Sequence, residues 1–151
     1  MAKRYFLALG LTLAALVGTV IVARGNLLVL IDLPSLGLVV ALAALMGFAV
    51  HSPREVGRFY RLAFSGRGEN REELEQAAVY FEGLIRYLAC GGAIGALTGV
   101  VEMLCRIGDK ASIGRGLAMC LLSALYAGIL IAVVGVPFRT AIRKRLAGLA
   151  R

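Results

Sequence analysis

The sequence predicts an all-α integral membrane protein with four spanning helices, the third of them extended into the cytoplasm. Three observations predict it. Hydrophobic residues make up 60% of the 151 and charged residues 17%. A soluble domain carries roughly 45–50% and ~25%. The apolar excess sits in four long blocks, and Lys and Arg are shared unequally between the two sides those blocks define. Nineteen glycines and no tryptophan suggest closely packed membrane helices without the usual interfacial Trp.

The first block, residues 5–23, is uncharged and bounded by Lys3, Arg4 and Arg24. Nineteen residues at about 1.5 Å each give ~28 Å, enough for the hydrocarbon core. Its apolar stretch exceeds the usual length in a cleaved signal peptide, so it is expected to remain as an anchor. The second block, residues 33–50, is also uncharged. Asp32 precedes it as a helix N-cap, Pro34 suits a first helical turn, and Ser35 follows.

Residues 51–83 form the one sizeable aqueous segment. Ser65, Gly66, Arg67 and Gly68 read as a turn. From Glu69 onward, Leu74, Ala77, Ala78 and Phe81 recur at helical spacing and run on into Leu84, Ile85 and Leu88. The third span, residues 84–105, is therefore expected to continue a long helix that begins in the cytoplasm. Glu69, Glu72, Glu73 and Glu75 read as a solvated face favouring that helix's N-terminus. A docking surface for a basic partner is the alternative. The fourth span covers residues 116–138 and carries no charge.

Four spans place both termini on one side. That side holds 13 of the 17 Lys and Arg residues; Arg24, Arg106, Lys110 and Arg115 lie on the other. The richer side, with both termini, is expected to be cytoplasmic. The formal charge of +8 then marks topology and attraction to lipid headgroups. The basic residues flank spans and form no nucleic-acid module, so no nucleic acid is expected as a partner.

No catalytic set stands out, and no enzyme activity or cofactor is expected. His51, the single histidine, lies at a membrane boundary without an acid beside it. Cys90, Cys105 and Cys120 have no metal-ligand spacing and read as small buried apolar residues, so no metal site is expected. Whether Cys105 and Cys120 meet is left open.

The informative pattern is small residues at helical spacing. Gly91, Gly95 and Gly99 form a stripe that also includes Thr98 and Glu102, within a sector of about 100°. Gly116, Cys120, Ser123 and Ala127 make a matching small face on the fourth span. Such faces let helices approach closely, against each other or against copies of themselves. Glu102 is the acidic residue within a span. It reads either as an i,i+4 ion pair with Arg106 or as part of an ion path.

Residues 30–40 (Leu-Ile-Asp-Leu-Pro-Ser-Leu-Gly-Leu-Val-Val) resemble the start of the second span in proteins of the MotA/TolQ/ExbB proton-channel family. Residues 91–104, the Gly-rich third span, resemble the family pattern too. So do the short loop at 107–114 and the small-residue span at 116–128. The resemblance covers about residues 26–140. It implies a bacterial inner-membrane, multi-pass subunit that assembles as a homopentamer. The third and fourth spans would line a channel holding single-span partners of the MotB/ExbD/TolR type, whose aspartate carries the ion. Proton or sodium flow would then be coupled to mechanical work, as in a stator.

On that resemblance Thr98 and Ser123 are hydroxyl liners of the ion path, Ala124 and Ala127 small liners, and Glu102 a charge at its mouth. Gly91, Gly95, Gly99 and Gly116 serve helix packing. The sequence departs from the family where Ala96 and Ala124 stand at positions usually occupied by threonine. Glu102 stands at a glutamine-like position, and Lys110 and Arg115 stand where prolines are usual. The alternative expectation is a non-conducting oligomeric membrane scaffold of the same fold.

Overall fold

The computed structural model describes residues 32–65 and 70–149. The first apolar block at 5–23, the glycines of the 65–68 turn and Glu69 lie outside the described residues. From Pro34 onward the chain forms one compact unit, and every element in it is helical.

Helix α1 spans Leu33–Val50, with Asp32 immediately before it and Pro34 in its first turn. After His51 and Ser52 the chain enters α2, Pro53–Ser65. The Ser52 amide donates to the Glu55 carboxylate (2.8 Å), which satisfies one of the donors left open at a helix start. Arg54, Arg58 and Arg61 line one side of α2. Phe59, Leu62 and Ala63 are buried on the other. Segment 51–83, read from sequence as an aqueous loop leading into a long helix, thus contains a further amphipathic helix.

Helix α3 runs unbroken over 35 residues, Arg71–Cys105. At 1.5 Å per residue it is about 52 Å long, well beyond the ~30 Å of a hydrocarbon core. Glu72 and Glu73 lie in its first turn, where the helix dipole favours negative charge. Glu73 pairs with Arg58 of α2, and Glu75 pairs with Arg71 at 2.9 Å. The acidic cluster is therefore partly neutralised within the chain rather than wholly free to meet a basic partner.

A four-residue link at 106–109 joins α3 to α4, Lys110–Leu130. The helix then widens into a π segment, Ile131–Gly135, and resumes as α5, Val136–Leu149. Together these form one 40-residue rod. The π segment is marked by the Val136 amide, which reaches back five residues to the Ile131 carbonyl. It sets Gly135 against Ile85 of α3, where a Cβ would lie 2.5 Å from Ile85 Cγ1.

Among the described residues, three helices are long and apolar enough to cross a membrane: α1, α3 and the α4–α5 rod. Away from the long α3–α4 contact, the core is aromatic. Phe59 and Tyr60 of α2, Tyr80 and Phe81 of α3, and Phe138 of α5 pack with ring centroids 5.3–6.2 Å apart. His51 joins edge-on, 5.3 Å from Tyr80 and 5.6 Å from Phe59. Burial, reinforced by the neighbouring Tyr60, pushes the Tyr80 phenol well above its ordinary range, so it stays neutral at physiological pH.

The cysteines depart from the sequence expectation. All three are free, and Cys90 and Cys105 are exposed on α3, while Cys120 is half-buried. Cys90 and Cys105 lie away from the face of α3 that meets α4, so the subunit alone does not cover them.

The glycine-seamed helix pair as candidate functional site

The close approach of α3 and α4 is written in backbone atoms. A Cβ at Gly99 would lie 2.6 Å from the Gly116 carbonyl oxygen and 2.7 Å from the Cys120 amide nitrogen. A Cβ at Gly116 would lie 2.7 Å from the Gly99 carbonyl oxygen and 2.5 Å from Met103 Cγ. Only hydrogen fits at this crossing. One helical step along, Gly95 faces Ser123, whose Oγ would lie 2.5 Å from an added Cβ. A further step brings Gly92 against Ala127. Gly91 faces a different neighbour: its added Cβ would sit 3.2 Å from the Val39 carbonyl oxygen of α1. The glycine stripe thus holds α4 on one edge and α1 on the other.

This geometry divides the residues expected to line an ion path. Ser123 is fully buried between the helices, and its hydroxyl donates back to the Met119 carbonyl at 2.8 Å. Ala127 is buried against Gly92. Thr98 and Ala124 lie on exposed faces instead. The Thr98 hydroxyl donates to the Ile94 carbonyl (2.9 Å), so it offers only its oxygen lone pairs outward, as an acceptor. The structure therefore groups Ser123 and Ala127 with the packing glycines and leaves Thr98 and Ala124 on the outer surface of the pair. A helical wheel assigns a face but not which neighbour meets it, and that is why the sequence placed all four together.

Glu102 is half-buried near the end of α3. Among the described residues no ion pair joins it to Arg106. The helix ends at Cys105, and Arg106 leaves helical register with φ −127°. The i,i+4 geometry that the pair requires is lost there. The link closes on Asp109, which caps α4. Its carboxylate accepts from the Ala111 amide (3.0 Å) and the Ser112 hydroxyl (2.6 Å). These bonds, the Ser112 one foremost, hold the carboxyl below its ordinary pKa. At the start of the second span, Ser35 is buried in the first turn of α1.

At the other end of α3 lies a cluster that the sequence reading did not assemble. Glu82 accepts from Arg139 at 3.0 Å and from Arg143 at 3.2 Å, both on α5. Arg145 donates to the carbonyls of Leu62 (2.5 Å) and Ala63 (3.4 Å), satisfying groups near the end of α2. The i,i+4 spacing of Arg139 and Arg143 was the available signal; its acceptor 57 residues upstream was not. No group of residues able to hold a metal ion occurs among the described residues.

With this geometry in place, the comparisons are specific. The model of the MotA/TolQ/ExbB proton channel family matches residues 52–151, a stretch holding α2 through α5. Motility protein A of Aquifex aeolicus (strain VF5) is 29% identical over 73 residues. That match covers 48% of this chain and 29% of the relative, so the similarity spans under a third of the relative's length. No solved structure matches.

Proposed function

The chain belongs to the MotA/TolQ/ExbB proton channel family, and on that premise we propose that it is the channel-forming, stator-like subunit of an ion-driven membrane complex. It carries no chemistry of its own as an enzyme. It forms part of the wall along which protons or sodium ions pass, and it couples their flow to mechanical work through a single-span partner of the MotB/ExbD type. The proposal includes four spans, with residues 5–23 as the first, and both termini on the cytoplasmic face of the bacterial inner membrane. It also includes a homopentameric ring.

The observation that carries this reading is the α3–α4 pair. Backbone-to-backbone contact at Gly99 and Gly116 makes the two helices a stiff unit. Its outer surface holds Ile94, Leu97 and Val101 of α3 and Leu117, Leu121 and Leu125 of α4, all exposed. A lone subunit leaves this surface to lipid; a ring of copies gives it neighbours and a lumen. Thr98 and Ala124 lie on the exposed side and are the proposed liners. Thr98 presents an oxygen lone pair suited to a hydrated cation, and Glu102 supplies negative charge near one end of the same helix. Ser123 and Ala127 act through packing, by setting the distance between the walls.

A specific observation favours a second reading, a non-conducting scaffold of the same fold. The Ser123 hydroxyl is consumed inside the helix pair, and alanines stand at 96 and 124, so few hydroxyls remain to line a path. Native mass spectrometry of the gently solubilised complex separates the readings. Five copies enclosing two of a single-span protein is the expected result. Five copies alone supports the scaffold, and a persistent monomer or dimer overturns both.

A further inference from the structure

A second region of α3, remote from the glycine seam, carries an unbalanced charge at a telling depth. Helix α1 is 18 uncharged residues ending at Val50, about 27 Å long and so matched to a hydrocarbon core. The end of α1 therefore lies at headgroup level. Between it and α3 is a crevice of about 330 Å³, bordered by Val50, His51, Tyr80, Gly83, Arg86 and Tyr87. Glu82 also borders it, but that carboxylate is already shared by Arg139 and Arg143. Arg86 stands one turn beyond Glu82 on the same helix, and among the described residues it makes no ion pair. Two guanidinium groups thus share one carboxylate, and Arg86 borders the same crevice without a counter-charge among the described residues.

A cation held near the hydrocarbon boundary is costly unless paired. Here the single nearby acid is doubly engaged. The edge-on packing of His51 against Phe59 and Tyr80 fixes one wall of the crevice. Val50 and Val79 flank its mouth, 62% and 65% exposed, which leaves apolar surface for acyl chains beside a cationic pocket.

We propose that this crevice binds the phosphate of an anionic phospholipid of the surrounding bilayer, with Arg86 as the counter-charge and His51 and Tyr87 bordering the headgroup. The site is independent of ion conduction. It would fasten the junction of α1, α2 and α3 to the membrane surface. It differs from the exposed Arg54 and Arg61 of α2 in having walls that admit one headgroup.

The test uses the full chain, purified as its native complex into zwitterionic detergent and titrated with phosphatidylglycerol or phosphatidylcholine. Lipid adducts are counted by native mass spectrometry. Wild-type protein should retain phosphatidylglycerol over phosphatidylcholine, and R86Q should lower that retention by about fivefold, the ratio expected for one arginine's attraction to an anionic headgroup. R86K should keep most of it, and the double variant R54Q/R61Q should leave it unchanged. Equal retention of the two lipids, or full retention by R86Q, overturns the proposal. Displacement of the lipid by glycerol 3-phosphate at equal concentration does so as well, since it would mark a site for soluble anions. A measurement without variants guards against R86Q failing to assemble: phosphatidylglycerol should raise the wild-type melting temperature above its value in phosphatidylcholine, and identical melting overturns the proposal.

Discussion

At the scale of single residues, the consequences of the α3–α4 seam differ sharply from glycine to glycine. Gly99→Ala places a methyl 2.6 Å from a backbone oxygen, and backbone cannot swing aside as a side chain can. Overpacking of this kind costs typically about 1–3 kcal/mol. Gly128→Ala, with nothing within 4 Å of the added carbon, should gain up to about 1 kcal/mol from helix propensity. Melting temperatures in one detergent check the contrast: Gly99→Ala should fall below wild type and Gly128→Ala should not. Asp109 provides a pH-dependent counterpart. Its hydrogen bonds lower its pKa from the ordinary 3.8. Its contribution to α4 is therefore fully present above pH 3.8 and is lost as pH falls through the lower folded value. Asp109→Ala should remove it at every pH. Faster amide exchange at Ala111 and Ser112 at neutral pH, absent in wild type until strongly acidic conditions, is the expected signature.

At the scale of elements, α2 depends on a residue far along the chain. Arg145 of α5 reaches the Leu62 and Ala63 carbonyls, and hydrogen bonds from a charged donor are worth about 1.5–3 kcal/mol. Arg145→Ala should raise amide exchange throughout α2, while Lys144→Ala, exposed beside it, should leave exchange within error of wild type. Hydrogen exchange read by mass spectrometry distinguishes these outcomes. The same element shows what was legible in the sequence. The described spans announced themselves as apolar blocks long enough for a bilayer, and the period-four glycines pointed to a contact face because only small residues allow backbones so close. Helix α2 was readable too: Arg54, Arg58 and Arg61 recur on one side, and Val56, Phe59, Tyr60 and Ala63 on the other. Yet 13 residues of mixed polarity between two long apolar blocks resemble a loop until the surface they cover is known. The aromatic junction and the Arg145 contact were illegible for a different reason. They join residues up to 83 positions apart, and local periodicity carries no information about such pairs.

At the scale of the whole molecule, the division of the polar residues decides how conduction is to be tested. Replacing Ser123 by Leu would force a large side chain into a gap where the existing Oγ already lies within 2.5 Å of a Cβ position at Gly95. Lost flux in that variant would report a broken helix pair as readily as a blocked path. Thr98 and Ala124 do not share this ambiguity, because both lie on exposed faces and larger side chains there leave the α3–α4 contact intact. If the wall we propose faces a lumen, Thr98→Leu and Ala124→Leu should each reduce ion flux at least tenfold in proteoliposomes containing the complete complex, about 1.4 kcal/mol on the barrier. Melting temperature and subunit count should stay at wild-type values. Thr98→Ser, which keeps the outward oxygen, should retain most of the flux. Should both leucine variants conduct normally in an intact ring, the lumen is lined by other faces of the subunit. If instead the intact wild-type ring carries no flux, the glycine seam serves only to hold a membrane scaffold together.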